Sequence, residues 1–578
     1  MAGKAKKRNW THGLGPEFKT IILGPPLYPR EPIQHASDSP RVRQIWPKIK
    51  EALRDLIDEY CIRSTIHGIN YIGSKRSILE RFWWLVVFVG SIYGCSQLIQ
   101  NVYRKWHDHP IILSYDETPL PVWKISFPAV TICPEAKMEA ELFNFTDAFY
   151  RYAHGIPNHE LDANKLNMLM GILQVCDSFF HSHDLFQGLY LTYNLSVDVP
   201  SVLKKLIPDC FNTVLLCRLL QWDCKNNFSE TLTEDGICYT INGFSQNDMF
   251  KPGVLHNEYV YLNETKSLAN WSYMLGYSLG ASMNTYPIRG PGSGSKAAMS
   301  LDLSTFYKNT DIYCRASQGF KLSLHPPHVY PRMSKNFILL TPKRDMTISI
   351  RPRIIITAQE LRIYTPEKRN CYFPDERSLM FFRDYEESNC ELECLTNYTL
   401  KQCGCVRFSM PRTAATRVCA MHEMRCLERA EQSQFKGSNS GEDLANSKNC
   451  NCMPACDAIQ YDAESTITTN EFGKTIALRM LIFDPEKVDE VIKKQISKVE
   501  IFFTEAQYIT SERSEIFGMT DLIAGCGGIL GLCLGVSFFS IVELLYYCLA
   551  RPVMMVHDLQ QHGDRYVSGS GLVRKAEY

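Results

Sequence analysis

Phe82-Trp83-Trp84-Leu85-Val86-Val87-Phe88-Val89-Gly90 opens a stretch of 22 residues without a formal charge, running to Tyr103 between Arg81 and Arg104. About 20 apolar residues of helix cross the hydrocarbon core of a bilayer, so this stretch is long enough to span one. A second stretch, Leu522 to Val542, holds 21 uncharged residues between Asp521 and Glu543. Helices in soluble cores are usually shorter and apolar on one face only, which disfavours that alternative for both. Lys75, Arg76 and Arg81 precede the first run and Arg551 follows the second. The positive-inside rule then places both termini in the cytosol, with Arg104 and Lys105 pulling the other way. Lys4, Lys6, Lys7 and Arg8 are followed by no apolar segment, so no cleavable signal peptide is expected and the first span serves as signal anchor. The expected organisation is a cytoplasmic tail over 1–81, a span over 82–103, an extracellular domain over 104–517, a second span over 518–549 and a cytoplasmic tail over 550–578.

Working outward, the rest of the chain agrees with this topology. It has 578 residues, 62 basic and 62 acidic side chains, and a mean hydropathy of −0.18. Balanced charge gives no sign of a nucleic-acid partner. The hydropathy excludes a transporter of many spans, and 45% hydrophobic residues exclude wholesale disorder. Of 22 cysteines, 17 lie between Arg104 and Asp521, as an oxidising compartment demands. Glycosylation sequons at Asn144, Asn194, Asn227, Asn263, Asn270 and Asn397 fall in the same segment. Another, at Asn9, falls in the expected cytosolic tail and should stay bare.

Cys390, Cys394, Cys403, Cys405, Cys419, Cys426, Cys450, Cys452 and Cys456 form a dense block. Their spacing could suit zinc, but outside the cell disulfides are the better reading. Such bonds staple helices that lack a large core. Gln432 to Asn449 and Pro287 to Ser295 read as flexible loops from their Gly, Ser, Asn and Pro content. Short strands are expected at Phe320 to Leu324, Phe337 to Leu340, Met346 to Ile350, Ile354 to Thr357 and Ser497 to Thr510. Helices are expected at Leu166 to Val175 and Asp484 to Lys494. The strand ending at Thr510 leads into the second span, a connection able to transmit a pull.

The second span carries Gly525, Gly527, Gly528, Gly531 and Gly535. Gly527, Gly531 and Gly535 recur every four residues and share one helix face. Small residues allow close helix packing. They also suit a pore wall, where backbone carbonyls and the hydroxyls of Ser537 and Ser540 replace a cation's hydration water. Glu543 adds an acid near the cytosolic end. Composition leaves both readings open.

Several motifs together resemble one family. Ser64-Thr65-Ile66-His67-Gly68-Ile69 is similar to the His-Gly gating motif of epithelial sodium channel/degenerin subunits. Phe127-Pro128-Ala129-Val130-Thr131-Ile132-Cys133 looks like the signature after their first span. Cys224, Asp235-Gly236-Ile237-Cys238-Tyr239-Thr240-Ile241-Asn242 and Gly319-Phe320-Lys321 resemble their mid-ectodomain motifs. Gly527-Gly528-Ile529-Leu530-Gly531-Leu532-Cys533-Leu534-Gly535-Val536-Ser537 completes the order. The resemblance runs from about Ser64 to Pro552 and is greatest to the insect pickpocket branch.

The resemblance implies an α+β membrane protein like acid-sensing channels, with two transmembrane helices flanking a disulfide-rich extracellular domain. It implies a pore-forming, sodium-selective, voltage-independent and amiloride-sensitive channel subunit in a homo- or heterotrimer at the plasma membrane. Sodium would be the permeant ion; no cofactor, metal or enzymatic activity is implied. Gly535, Val536 and Ser537 match the selectivity filter. His67 and Gly68 match gating positions, and Ala524 falls on the degenerin position, where bulky residues hold the family's pores open. Gly527, Gly528, Gly531 and Glu543 would line the pore. Gly525 replaces the acid that acid-sensing members carry beside the degenerin position. The implied disulfides are Cys133–Cys238, Cys217–Cys224, Cys371–Cys456, Cys390–Cys452, Cys394–Cys450, Cys403–Cys426 and Cys405–Cys419. Cys176–Cys210 is an eighth candidate, which would leave Cys314 free or paired between chains.

Acid sensing is poorly supported. Only Glu428, with Glu431 nearby, matches the carboxylate pairs of proton-gated relatives. Arg369 stands where those relatives carry a Trp that couples ectodomain to span. His181-Ser182-His183 offers too few ligands for a closed metal site. A two-span scavenger or adhesion receptor would share the topology; the glycine-rich span and the His-Gly tail favour the channel. The stimulus, whether chemical, mechanical or osmotic, is not encoded in any of these motifs.

Overall fold

The computed structural model describes residues 40–73, 77–108, 111–154, 163–181, 197–257, 271–272, 276–278, 280–281, 285–306, 313–436, 450–469, 478, 494–555 and 557. The chain divides into two compact units, Met1–Lys105 with Met519–Tyr578, and Trp106–Gly518.

In the first unit, α1 spans Pro40–Arg63 and α2 spans Ile78–Asp108. Proline suits the first position of α1, where its missing N–H has no helical partner to lose. At 1.5 Å per residue, the 31 residues of α2 exceed the roughly 30 Å of a hydrocarbon core. In the second unit, α3 is Phe145–Ala153, α4 Ala163–Leu173, α5 Val199–Leu206, α6 Glu387–Cys403 and α7 Met424–Lys436. The C-terminal helices α8, Met519–Leu534, and α9, Phe538–Leu545, belong to the first unit.

Among the described residues, the second unit is built on two large sheets, beside two small two-stranded ones. Its strands are β1 (Ile111–Tyr115), β2 (Ala129–Pro134), β3 (Val214–Leu219), β4 (Trp222–Asp223), β5 (Phe228–Thr233), β6 (Gly236–Ile241) and β7 (Met299–Phe306). They continue with β8 (Phe320–His325), β9 (Ile338–Leu340), β10 (Arg344–Thr357), β11 (Ala458–Thr469), β12 (Lys494–Phe503) and β13 (Ser511–Glu515). The larger sheet runs β1-β13-β10-β12-β7-β3-β4, with β11 also paired to β10; the smaller runs β9-β8-β2-β6-β5. Alternate residues of facing strands meet in one core: Met299, Leu301, Ile348 and Ile501 from one sheet, Ile132, Ile241, Phe320 and Leu322 from the other. Phe127 and Phe503 join edge to face there, 5.6 Å apart.

Two strands carry the chain's membrane connections. β1 begins three residues after α2, β13 ends four residues before α8, and the two pair antiparallel from Ile111↔Glu515 to Tyr115↔Ser511. The segment that follows α2 and the one that precedes α8 are therefore neighbours in one ladder.

Four expectations are corrected. The runs Met346 to Ile350 and Ile354 to Thr357 form a single strand, β10. Pro352 interrupts it in sequence but not in structure. On one side β12 pairs residues 345–350 and β13 pairs residues 355–357, so the missing N–H of Pro352 falls in the gap. Pro287 to Ser295 is not a loose loop. The N–H groups of Phe127 and Gly290 donate to the carbonyls of Ile288 and Ile125, and a Cβ on Gly290 would stand 2.5 Å from the Val122 carbonyl. Gln432 belongs to α7; residues 437–449 of that expected loop lie outside the described residues, as do residues 484–493 of the expected helix, while Lys494 opens β12. The second apolar run is two helices, broken at residues 535–537.

Candidate functional site

The break is dictated locally. Gly535 adopts φ +66°, the left-handed region that side chains disfavour, and its N–H donates to the Gly531 carbonyl at 2.9 Å. Ser537 is extended and caps α9. Its Oγ accepts from the Ser540 N–H at 3.3 Å, and its own N–H donates to Ser540 Oγ at 3.1 Å. Gly535 closes one helix and Ser537 starts the next, which leaves three residues of open backbone in a membrane-length apolar run. Such backbone is tolerated at membrane depth where protein or water satisfies it.

The N-terminal segment supplies part of that satisfaction. The His67 N–H donates to the carbonyl of Leu534, the last residue of α8, at 2.8 Å. The imidazole lies over Gly535 so closely that a Cβ there would stand 2.7 Å from three of its ring atoms. Gly68, at φ +95°, turns the chain where a Cβ would meet the Phe88 ring of α2 at 3.2 Å. Thr65 completes the seat. Its N–H and hydroxyl reach Glu543 Oε2 at 3.3 and 3.0 Å, and its hydroxyl lies 2.6 Å from Ser540 Oγ. Further along, Glu59 of α1 pairs with Arg551 at 3.3 Å, and the rings of Tyr60 and Tyr547 lie 5.3 Å apart.

The structure thus brings together His67, Gly68, Gly535, Ser537 and Glu543 from opposite ends of the chain. Val536 lies in the break, half-buried. Gly527 and Gly528 have nothing within 4 Å of an added Cβ, and Ala524 is exposed 11 residues before Gly535. Thr65 and Ser540 are the contacts that residue-by-residue reading undervalued. Both hydroxyls were in view, but nothing local marks them as partners across 475 residues.

Away from the membrane helices, all seven pairings that the resemblance implies are disulfides: Cys133–Cys238, Cys217–Cys224, Cys371–Cys456, Cys390–Cys452, Cys394–Cys450, Cys403–Cys426 and Cys405–Cys419. The eighth candidate is corrected. Cys176 bonds Cys314, at a Cα separation of 4.7 Å, and Cys210 keeps its thiol. The hydrogen bond from Asp177 N–H to the Cys314 carbonyl aligns the two segments, while Cys210 packs against the sheet core.

The charged groups singled out by sequence are matched individually. His181 is buried, with Nδ1 2.5 Å from Glu428 Oε1 and Nε2 2.9 Å from the Leu173 carbonyl. Glu431 takes a bidentate pair from Arg407, both contacts at 3.0 Å. These pairs help line a cavity of about 350 Å³ that Asp235, Arg315, Tyr330 and Leu395 also border. Glu428 therefore faces an imidazole and Glu431 a guanidinium. His183 lies outside the described residues. Arg369 is fully buried, donates to the carbonyls of Leu361 and Tyr364 at 3.1 and 2.9 Å, pairs with Glu376 and stacks 4.6 Å from Phe373. It braces its own turn from within.

Of the sequons, Asn144 and Asn397 are exposed and Asn227 is half-buried. Asn144 also caps α3, accepting from the Asp147 N–H at 2.9 Å. Asn194, Asn263 and Asn270 lie outside the described residues.

Comparison with known proteins covers most of the chain. The family model described as Amiloride-sensitive sodium channel covers residues 60–547. The chain is 26% identical to pickpocket protein 28 of Drosophila melanogaster, over 89% of this chain and 82% of that one. It is 24% identical to the sodium channel protein Nach of the same species, over 86% and 87%. It is 23% identical to the human bile acid-sensitive ion channel, over 85% of each. Members of this family are ion channels, not enzymes. With residues 65–68 meeting the helix break at 535–537 and a disulfide-rich α+β domain between, the chain belongs to the amiloride-sensitive sodium channel family.

Proposed function

We propose that the chain is a pore-forming subunit of a sodium-selective, voltage-independent cation channel of the degenerin class. It works in a sensory setting as a homo- or heterotrimer with related subunits, at the plasma membrane, with both termini cytoplasmic. The observation that carries this reading is the backbone break at Gly535-Val536-Ser537, held open by a glycine cap, a serine cap and the His67 segment. Three copies around an axis would present carbonyl and hydroxyl oxygens to a partly dehydrated sodium ion. Gly535 admits the close approach that a ring of narrow radius needs. Ala524, about three helical turns outside the break, acts as the gate. His67 and Gly68 connect the filter to the cytosolic segment, and β1 with β13 carries ectodomain movement toward the helices. Amiloride-like molecules are the blockers to try.

Whole-cell recording of the chain, alone and with related subunits, tests this. A sodium current that reverses near the sodium equilibrium potential is expected. No current from any combination, with surface delivery confirmed by labelling, would favour a non-conducting two-span receptor.

A further inference from the structure

The hydroxyl of Ser537 is the start of a chain of oxygens with a defined direction. Thr65 Oγ1 donates its hydrogen to Glu543 Oε2 at 3.0 Å. Thr65 then turns a lone pair toward Ser540 Oγ, 2.6 Å away, and receives the Ser540 proton. Buried Ser540 Oγ is left to accept from Ser537, whose N–H is 3.1 Å and whose hydroxyl is 3.2 Å distant. The Ser540 N–H, at 3.3 Å, occupies one lone pair of Ser537 Oγ. One lone pair remains on this exposed hydroxyl, and its proton is directed inward.

We infer that Thr65 is a positioning residue for ion selection: by passing protons toward Glu543, it fixes Ser537 as an acceptor toward the permeating cation. The inference rests on the reading of Ser537 as part of the filter. Its physical content is the sign of a dipole. A cation is attracted by a hydroxyl oxygen and repelled by a hydroxyl hydrogen pointing at it. Without the Thr65 oxygen, Ser540 has no acceptor on that side and its proton turns back to Ser537. The Ser537 proton then has nowhere to go but outward. The serine in the filter is unchanged in identity, yet it offers the wrong end of its dipole. Neither the His-Gly pair nor the Gly-x-Ser filter motif contains this information, because the relay is formed by a residue two positions before the first and one three positions after the second.

The test compares Thr65→Val with Thr65→Ser in the full chain, expressed with whatever related subunits wild type needs for current. Bi-ionic reversal potentials are measured with sodium outside and potassium inside, beside surface labelling. Thr65→Val keeps the side-chain shape and removes the oxygen. It should lower the sodium-to-potassium permeability ratio by roughly five- to tenfold, the factor that one net hydrogen bond is worth. Thr65→Ser keeps the oxygen and should retain the wild-type ratio. Currents whose reversal potential is unmoved by Thr65→Val overturn the inference while leaving the channel reading intact. Equal loss in both variants also overturns it, since the methyl group and not the oxygen would then be at work. Absence of current from wild type in every combination removes the channel reading and this inference together.

Discussion

The break between α8 and α9 and the stapled pair α6 and α7 solve opposite problems. α6 and α7 are held covalently. Cys403–Cys426 joins the end of one to the start of the other, Cys405–Cys419 closes the turn between them, and Cys390–Cys452 and Cys394–Cys450 tie α6 to the strand-ward segment. The helix break has no covalent cross-link among the described residues, only packing of the His67 ring and hydrogen bonds, and the nearby Cys526 and Cys533 remain thiols. Each such bond contributes about 0.5–1.5 kcal/mol net and can be exchanged. A disulfide contributes about 2–4 kcal/mol, chiefly by constraining the unfolded chain, and does not exchange on a gating timescale. The difference separates a region whose links are fixed from one whose links can be exchanged.

The sharpest way to break the comparison is at Ala524. Three copies facing one another would make a closed ring with room only for methyl groups. Overpacking costs roughly 1–3 kcal/mol per site, and the penalty falls three times on the closed state. Ala524→Val should therefore produce standing sodium current in a channel otherwise silent at rest, read as holding current per labelled surface subunit. Silent Ala524→Val channels at the surface would place this residue against lipid.

Next comes the covalent region. Cys403→Ser with Cys426→Ser should cost about 2–5 kcal/mol and lower surface delivery. Thermal unfolding of the detergent-solubilised chain reads the loss directly. A variant that reaches the surface and still gates normally would show that the block is a staple and takes no part in transmission.

A third prediction uses pH on the sheet core. His325 is buried, with Nε2 2.9 Å from Thr131 Oγ1, and burial pushes its pKa down to about 4. In the unfolded chain it titrates near 6.5. Between these values the unfolded state binds more protons, so stability present above pH 6.5 is lost as pH falls toward 4. The amount is about 3 kcal/mol. Thermal unfolding across this window should fall less steeply in His325→Gln than in wild type. Parallel curves would mean that the histidine is already charged in the fold.

The smallest expected effect is at Ser537. Ser537→Cys weakens the cap of α9, worth about 1 kcal/mol, and replaces a hard oxygen with a larger sulfur. Potassium should then compete with sodium, moving the reversal potential without abolishing current. An unchanged reversal potential would remove Ser537 from the filter.

Much of this architecture was legible because it rests on local chemistry. Runs of 22 and 21 uncharged residues are long enough to meet the membrane whatever surrounds them, and 17 cysteines between them require oxidation. The alternation of Met346, Ile348 and Ile350 marks a buried strand face. Pro352 misled for an equally physical reason. A proline ends a strand only when its N–H is needed, and that depends on which neighbours lie beside it. Cys314 reads as free or paired between chains because spacing carries no information about a bridge between segments 138 residues apart.

What the sequence alone determined is therefore the set of constraints that act within a few residues or through bulk solvent: membrane length and redox compartment. What only the tertiary structure decided is which distant groups satisfy one another. His67 closes the carbonyl of Leu534, Thr65 meets Ser540 and Glu543, His181 takes Glu428, and Arg369 turns inward to its own loop. A hydroxyl or an imidazole can bond many partners, so its identity does not select one. The selection comes from loop closures across hundreds of residues, whose entropic cost is met by the packing of the whole fold and not by the pair itself.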